Sequence, residues 1–323
     1  MRGLLYVGTD DGNVWVSKDD GKNWTKLNEK IKGNPGLWVS RVLASRHSPG
    51  TAYVTYTGYR NDDFRPFVYK TADYGETWTT IAGNLPAGSV NVIREDPKNP
   101  NLLFLGTDFG VHVSVDGGKT WNAMNATMPT QPVHDLVVHP RDGELVIGTH
   151  GRGFFVADIS PLQEMSDKVL AQDFYFFEPK PAVKWRTRLE KDSASTNFTG
   201  QGRPNGVVIN YYQKAAAAGD VSIQVMQGGR LVAETKKAPN AAGMNQIVWN
   251  VRYVPVTLVQ QPQQGRGFAG GGGRAPQAEP TIPTFGGTLP ADTGDYTIVI
   301  TAGGKTFTRT AQVLEDVWFD KVF

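Results

Sequence analysis

The octapeptide at residues 114–121, Ser-Val-Asp-Gly-Gly-Lys-Thr-Trp, returns in variant form at 17–24 (Ser-Lys-Asp-Asp-Gly-Lys-Asn-Trp) and at 71–78 (Thr-Ala-Asp-Tyr-Gly-Glu-Thr-Trp). The shared frame fixes a hydroxyl residue (Ser17, Thr71, Ser114), an aspartate (Asp19, Asp73, Asp116), a glycine (Gly21, Gly75, Gly118) and a tryptophan (Trp24, Trp78, Trp121). Each copy follows an alternating apolar stretch and leads into a shorter one, so the frame reads as a corner between strands. An aspartate carboxylate accepts hydrogen bonds from turn N–H groups, glycine takes positive φ, and an indole ring plugs the gap between sheets. The aspartates stand 54 and 43 residues apart. A supersecondary unit repeating at about 40–50 residues is the pattern of a propeller or a repeat array.

The strands agree with that period. Residues 3–27 hold three of them, in LLYVGTD, NVWVS and NWTKL. The next unit runs WVSRVLASRH, TAYVTYTGY, FVYKT and TWTTIAG, and the third VNVIREDP, NLLFLGTD, GVHVSV and TWNAM. A fourth, VHDLVVHP, ELVIGTHG and GFFVADI, has no octapeptide. Four short strands make one propeller blade, so the chain supplies two complete blades, a first without its opening strand and a last without its fourth. Gly8-Thr9-Asp10, Gly106-Thr107-Asp108 and Gly148-Thr149-His150 recur in phase at the ends of second strands.

The three octapeptides resemble the Asp-box, or bacterial-neuraminidase repeat, of sialidases, xyloglucanases and sortilin-type receptors. The run DISPLQ…FEPKPAVKWR after the last blade is similar to the tail that follows the propeller in large bacterial Asp-box proteins of the sortilin-like or glycosyl-hydrolase-like kind. The resemblance implies that the box is a folding element on the blade rim, away from any active centre, and that the protein is periplasmic or secreted. No export signal opens the chain: the start runs straight into a strand, as expected for a processed protein or a piece of a longer one.

Ser160, Pro161 and Gln163 read as N-cap, N1 and N3 of a short helix over 161–171, and 174–186 reads as an extended, proline-interrupted strand. From Gly206 onward six alternating strands at about ten-residue spacing, with Gly, Asn and Asp turns, predict an immunoglobulin-like sandwich. AAGMNQIVWN and LPADTGDYTIVITAGGKTFT resemble the small immunoglobulin-like domain of flagellar-hook capping proteins. The expected architecture is therefore all-β: a partial, open or incomplete β-propeller over 1–159, a helix and extended connector over 160–205, and an immunoglobulin-like β-sandwich over 206–323. The low-complexity stretch 260–287, rich in Gln, Pro and Gly, reads as a mobile insertion. Its second reading is a partner-binding arm carrying Arg266, Phe268 and Arg274.

Lys and Arg total 33 against 31 Asp and Glu, so nothing in the charge calls for nucleic acid. The absence of cysteine removes disulfides, thiolate zinc sites and a cysteine nucleophile. No apolar run is long enough to span a bilayer. No cofactor and no metal is expected: Gly265, Gly267 and Gly270 match a dinucleotide fingerprint without a βαβ unit around them. His134, His139 and His150 lack ligand spacing, and Asp10-Asp11-Gly12 reads as a tight hairpin rather than a calcium loop. Asn23, Asn125 and Asn197 open glycosylation sequons, one of them inside a box.

Glycoside hydrolysis asks for two carboxylates flanking a sugar bond. Phe64-Arg65-Pro66 is faintly similar to a sialidase arginine motif, but it lies on a loop between second and third strands with no Tyr/Glu partner; Asp62 and Asp63 read as a solvated loop tip. No catalytic residue is assigned. The preferred reading is a non-catalytic binding or scaffold subunit working against another polypeptide, either the missing blades of its own parent protein or a subunit of a larger assembly, with carbohydrate as a further ligand class. The alternative is the C-terminal part of a sialidase-like or xyloglucanase-like hydrolase whose catalytic residues lie elsewhere.

Overall fold

The computed structural model describes residues 3–124, 128–185, 202–254 and 282–317. Two compact units divide the chain, Met1–Val169 and Leu170–Phe323.

The first unit is a row of four antiparallel sheets. The first blade holds β1 (Leu5–Gly8), β2 (Val14–Ser17) and β3 (Thr25–Lys26); the second holds β4 (Trp38–Ala44), β5 (Ala52–Gly58), β6 (Asp63–Thr71) and β7 (Thr79–Thr80). The third is β8 (Val90–Glu95), β9 (Leu103–Thr107), β10 (Gly110–Ser114) and β11 (Asn122–Ala123), and the fourth β12 (Val133–His139), β13 (Glu144–Thr149) and β14 (Phe154–Asp158). Within every blade, strands pair with their sequence neighbours, as short hairpins favour. The fold is all-β with a partial propeller of 3, 4, 4 and 3 strands.

Three apolar cores fill the gaps between successive sheets. Val14, Val16 and Leu27 of the first blade meet Ala52, Val54 and Trp78 of the second. Tyr53 and Val68 of the second meet Leu103, Leu105 and Trp121 of the third. Phe104, Val111 and Val113 of the third meet Leu136, Leu145 and Ile147 of the fourth. The alternation of each strand thus serves two cores, one on either face of a blade, and both sides of a middle strand read apolar. Gly8 and Gly106 sit where the next blade's first strand crosses: a Cβ at Gly8 would lie 2.3 Å from Val39 Cγ1, and one at Gly106 2.7 Å from Val133 Cγ1. At Gly148 the nearest atom would be 3.5 Å away.

A β-bulge, not legible in the sequence, recurs at one place in all three innermost strands: Val39/Arg41, Val90/Val92 and Val133/Asp135. Phe64-Arg65-Pro66, expected on a loop, lies inside β6, and Asp63 opens that strand. Just before that strand the chain turns through a left-handed Asp62 at φ 55°.

The helix expected over 161–171 is two short pieces, α1 (Ser160–Glu164) and α2 (Asp167–Leu170). Ser160 is not the cap: Ile159 occupies that position, and the Ser160 hydroxyl and N–H both donate to Asp158 Oδ1. Met165 breaks the run in an extended conformation, and its carbonyl accepts from Asn99 Nδ2.

The second unit begins earlier than residue 206. β15 (Phe174–Phe176) and β16 (Ala182–Lys184) come from the segment expected as a connector. They join the edges of two different sheets around β17 (Val207–Gln213), β18 (Val221–Gln227), β19 (Arg230–Ala238), β20 (Gly243–Trp249), β21 (Arg252–Tyr253), β22 (Thr284–Phe285), β23 (Leu289–Pro290), β24 (Gly294–Ala302) and β25 (Lys305–Glu315). One sheet runs β15-β17-β20-β22 and the other β16-β25-β24-β18-β19. Proline at 179 and 181 lets the chain leave one sheet and enter the other. Between the sheets lies one core that includes Trp249 and Tyr296, edge to face with ring centroids 4.7 Å apart.

Candidate functional site

The three octapeptides fold alike. In each, the first-position hydroxyl donates to the aspartate Oδ1 (2.8, 2.8 and 2.7 Å) and accepts the glycine N–H (2.8, 3.0 and 2.8 Å). The same Oδ1 accepts the backbone N–H of Asn23, Thr77 or Thr120, and Oδ2 accepts that residue's side chain at 2.6–2.7 Å. Gly21, Gly75 and Gly118 have φ of 84°, 89° and 94°. The preceding residue is left-handed as well, at Asp20, Tyr74 and Gly117, a requirement the varied residues there conceal.

Those bonds settle the carboxylates' charge. The Thr77 hydroxyl and N–H, with Thr71, bring Asp73 down to about 2. Asn23 backbone and side chain, then Ser17, lower Asp19. Burial pulls Asp116 upward, but Thr120, Ser114 and Lys119 outweigh it and its net shift is downward. A carboxylate held ionised by its own turn is a poor proton donor.

Other candidates are likewise engaged. Asp63 takes both Arg65 Nε and Nη2, at 2.9 and 2.6 Å. Asp11 bonds Thr9 and Asn13 within the first hairpin. His134 and His150 stack at 5.2 Å, and His139 Nδ1 lies 3.2 Å from Asp142. Glu95 accepts from Ser45 and Tyr53, and buried Asp96 from Lys98, Asn99 and Gln163. Arg266, Phe268 and Arg274 lie outside the described residues, as do the Asn125 and Asn197 sequons.

One cluster escaped the sequence reading. Arg41 of β4 and Arg94 of β8 each place Nη2 2.9 Å from Asp135 Oδ1 on β12, joining three blades through one oxygen. Burial and the neighbouring Arg41 lower Arg94, against the pull of Asp135. Arg41 and Asp135 hold the same register position on strands 94 residues apart, and Arg94 lies two residues beyond the matching place on β8, so no repeated motif announces them.

Apolar side chains are exposed on the two outer faces of the row at positions that are buried in the inner blades. Leu103, Leu105 and Trp121 are buried against the second blade, and Leu145 and Ile147 against the third. By register their first-blade counterparts are Leu5, Val7 and Trp24, which are 43, 42 and 40% exposed. At the other end, Val111 and Val113 are buried by the fourth blade, while their counterparts Phe154 and Val156 are 80 and 59% exposed. Trp24 therefore departs from the expected plug: it stands exposed, and its indole N–H bonds Gly21 O at 3.0 Å. Box glycines tell the same story, since a Cβ at Gly75 would lie 2.8 Å from Leu27 and one at Gly118 2.8 Å from Ile81 of the preceding blade, whereas Gly21 meets only Trp24 and Leu5.

No protein-family model matches the chain. Over 143 residues it is 26% identical to a xyloglucanase of Hypocrea jecorina, covering 40% of this chain and 17% of that protein. Over 165 residues it is 32% identical to a probable oligoxyloglucan-reducing end-specific xyloglucanase of Neosartorya fischeri, 43% of this chain and 19% of the relative. The chain thus spans less than a fifth of the curated relatives it matches. Among solved structures, the GH74 xyloglucanase of Xanthomonas campestris aligns at TM-score 0.42 and 14% identity, over 97% of this chain and 44% of the other. YCF48 bound to D1 peptide aligns at TM-score 0.37 and 19% identity, over 49 and 47%.

Proposed function

We propose that the chain is a non-catalytic, extracytoplasmic scaffold or accessory subunit whose blades bind another polypeptide. The observation behind this is the pair of open blade faces: positions that are buried in the inner blades are apolar and bare at both ends of the row. Contiguous apolar surface of this kind is characteristic of a protein-binding site. The octapeptides, as Asp-boxes, serve in this reading as corner braces, their carboxylates consumed by their own turns. Arg266, Phe268 and Arg274 would add a second contact arm.

A second reading has a specific observation in its favour, the similarity to two xyloglucanases. In it the chain belongs to a glycoside hydrolase and its blades support carboxylates located elsewhere. Incubating the purified chain with xyloglucan, β-glucan and sialoside substrates separates the two. No release of reducing sugar or sialic acid is expected; sustained turnover by this chain alone would end the scaffold reading.

A further inference from the structure

The second unit holds a cavity whose lining combines opposite charges with an apolar wall. Its volume is about 190 Å³, and it lies between the β18–β19 turn, β21 and the segment that joins β23 to β24. Gly228 and Gly229 make that turn with φ of 55° and 79°, the two left-handed residues of a short hairpin loop, so Gln227 and Arg230 stand opposite each other. The backbone at 291–292 is held twice. Ala291 N–H donates to Val251 O at 2.9 Å, and the Tyr296 hydroxyl donates to Asp292 O at 2.6 Å. Ala291 and Tyr296 are buried members of the core, so this part of the lining is fixed before any ligand arrives.

Two groups in the lining have nothing to bind. Arg230 and Asp292 are both exposed, and among the described residues neither side chain enters an ion pair or a hydrogen bond, with the other or with any neighbour. Opposite charges that line one cavity without satisfying each other suit a ligand carrying both signs. A guanidinium presents a planar fork that meets a carboxylate with two parallel hydrogen bonds, and a carboxylate accepts from an ammonium group. Leu231, Val232 and Tyr253 supply apolar surface. Val232 and Tyr253 are partly buried against the core, and Val254 N–H donates to Val232 O at 3.2 Å, which ties the two chain segments together there. Volume sets the size of the occupant: a cavity of about 150 Å³ holds benzene, so this one takes a molecule of about eight to ten heavy atoms.

We infer that this cavity binds a free α-amino acid with an apolar side chain. The ligand carboxylate takes the Arg230 guanidinium, its ammonium group takes the Asp292 carboxylate, and its side chain packs on Leu231, Val232 and Tyr253. The Gln227 amide adds a donor and an acceptor to the polar end. The site belongs to the second unit alone and goes beyond the scaffold reading, which concerns the blades.

Isothermal titration calorimetry of the full chain with L-leucine is the test, and saturable one-to-one binding is expected. N-acetyl-leucine, which lacks the ammonium charge, and leucine amide, which lacks the carboxylate, should each bind about 10–100-fold more weakly, the worth of one charge-assisted hydrogen bond. Glycine, without the apolar body, should be weaker by about 10-fold. Arg230→Gln should abolish the preference for leucine over leucine amide, and Asp292→Asn the preference over N-acetyl-leucine, each leaving the other preference in place. Both positions are exposed, so the variants should melt with wild type, and the leucine derivatives read the same contacts on wild type without any substitution. No saturable heat at millimolar leucine overturns the assignment. So do equal affinities for leucine and its two derivatives, or variants that keep the wild-type preferences.

Discussion

Trp121 and Trp24 hold the same place in the same frame, yet one is sealed between two sheets and the other stands at the open end. Trp121 donates from its indole to Ile81 O at 2.7 Å, and its backbone is clamped by Asn84. Trp121→Ala should cost about 3–5 kcal/mol through the cavity left behind. Trp24→Ala should cost the separated chain about 1 kcal/mol and act instead on association; equal losses of thermal stability would contradict this. Asp116→Ala removes the acceptor for two backbone N–H groups and should cost about 1–3 kcal/mol. Asp73 offers a pH readout. Its pKa is depressed from 3.8 to about 2, so its contribution is complete above about 4 and is lost as pH falls toward 2. Carboxyl NMR should find it titrating well below ordinary aspartates, and Thr77→Ala should move it back upward.

At the scale of strands, the joints depend on what crosses each second strand. Gly106 lies under Val92 and Val133, both closer than 3 Å to where a Cβ would be. Gly106→Ala should therefore destabilise by about 1–3 kcal/mol, since well-packed neighbours must shift. Gly148 holds the corresponding place in the fourth blade with nothing nearer than 3.5 Å, and Gly148→Ala should be neutral or stabilising by up to about 1 kcal/mol. Urea midpoints of the two variants compare them directly. In the second blade the register places Thr55 where the others have glycine, and its hydroxyl joins Ser40 at 2.8 Å, which in turn donates to Val90 O at 2.7 Å. A hydrogen bond across the joint replaces close backbone approach there, which is why the glycine pattern reads as broken.

For the whole chain, the division at 169/170 carries its own prediction. Phe174 and Phe176 belong to the core of the second unit, stacked through Phe174 on Tyr211 and Phe307 at 5.5 and 4.2 Å. A segment of residues 170–323 should unfold cooperatively by itself, whereas one beginning at 206 should lose both edge strands and much of its melting enthalpy. Calorimetry of the two segments is the check. Comparable transitions would show that β15 and β16 contribute little.

What the amino acids determined alone is whatever depends on short stretches of chain. The octapeptide contains its own acceptors, donors and left-handed glycine, so its turn and the strands on either side are written locally around Asp19, Asp73 and Asp116, while the fourth blade, without a box, is legible only in its alternating strands. Tertiary structure decided what depends on a neighbour. Whether a box tryptophan is a plug is set by the presence of a preceding sheet, not by the frame, and so Trp24 differs from Trp78. Residues 174–184 became two edge strands because two sheets offered free edges. Arg41, Arg94 and Asp135 met only when bulges brought three inner strands into register, a contact between residues up to 94 positions apart that no periodicity encodes.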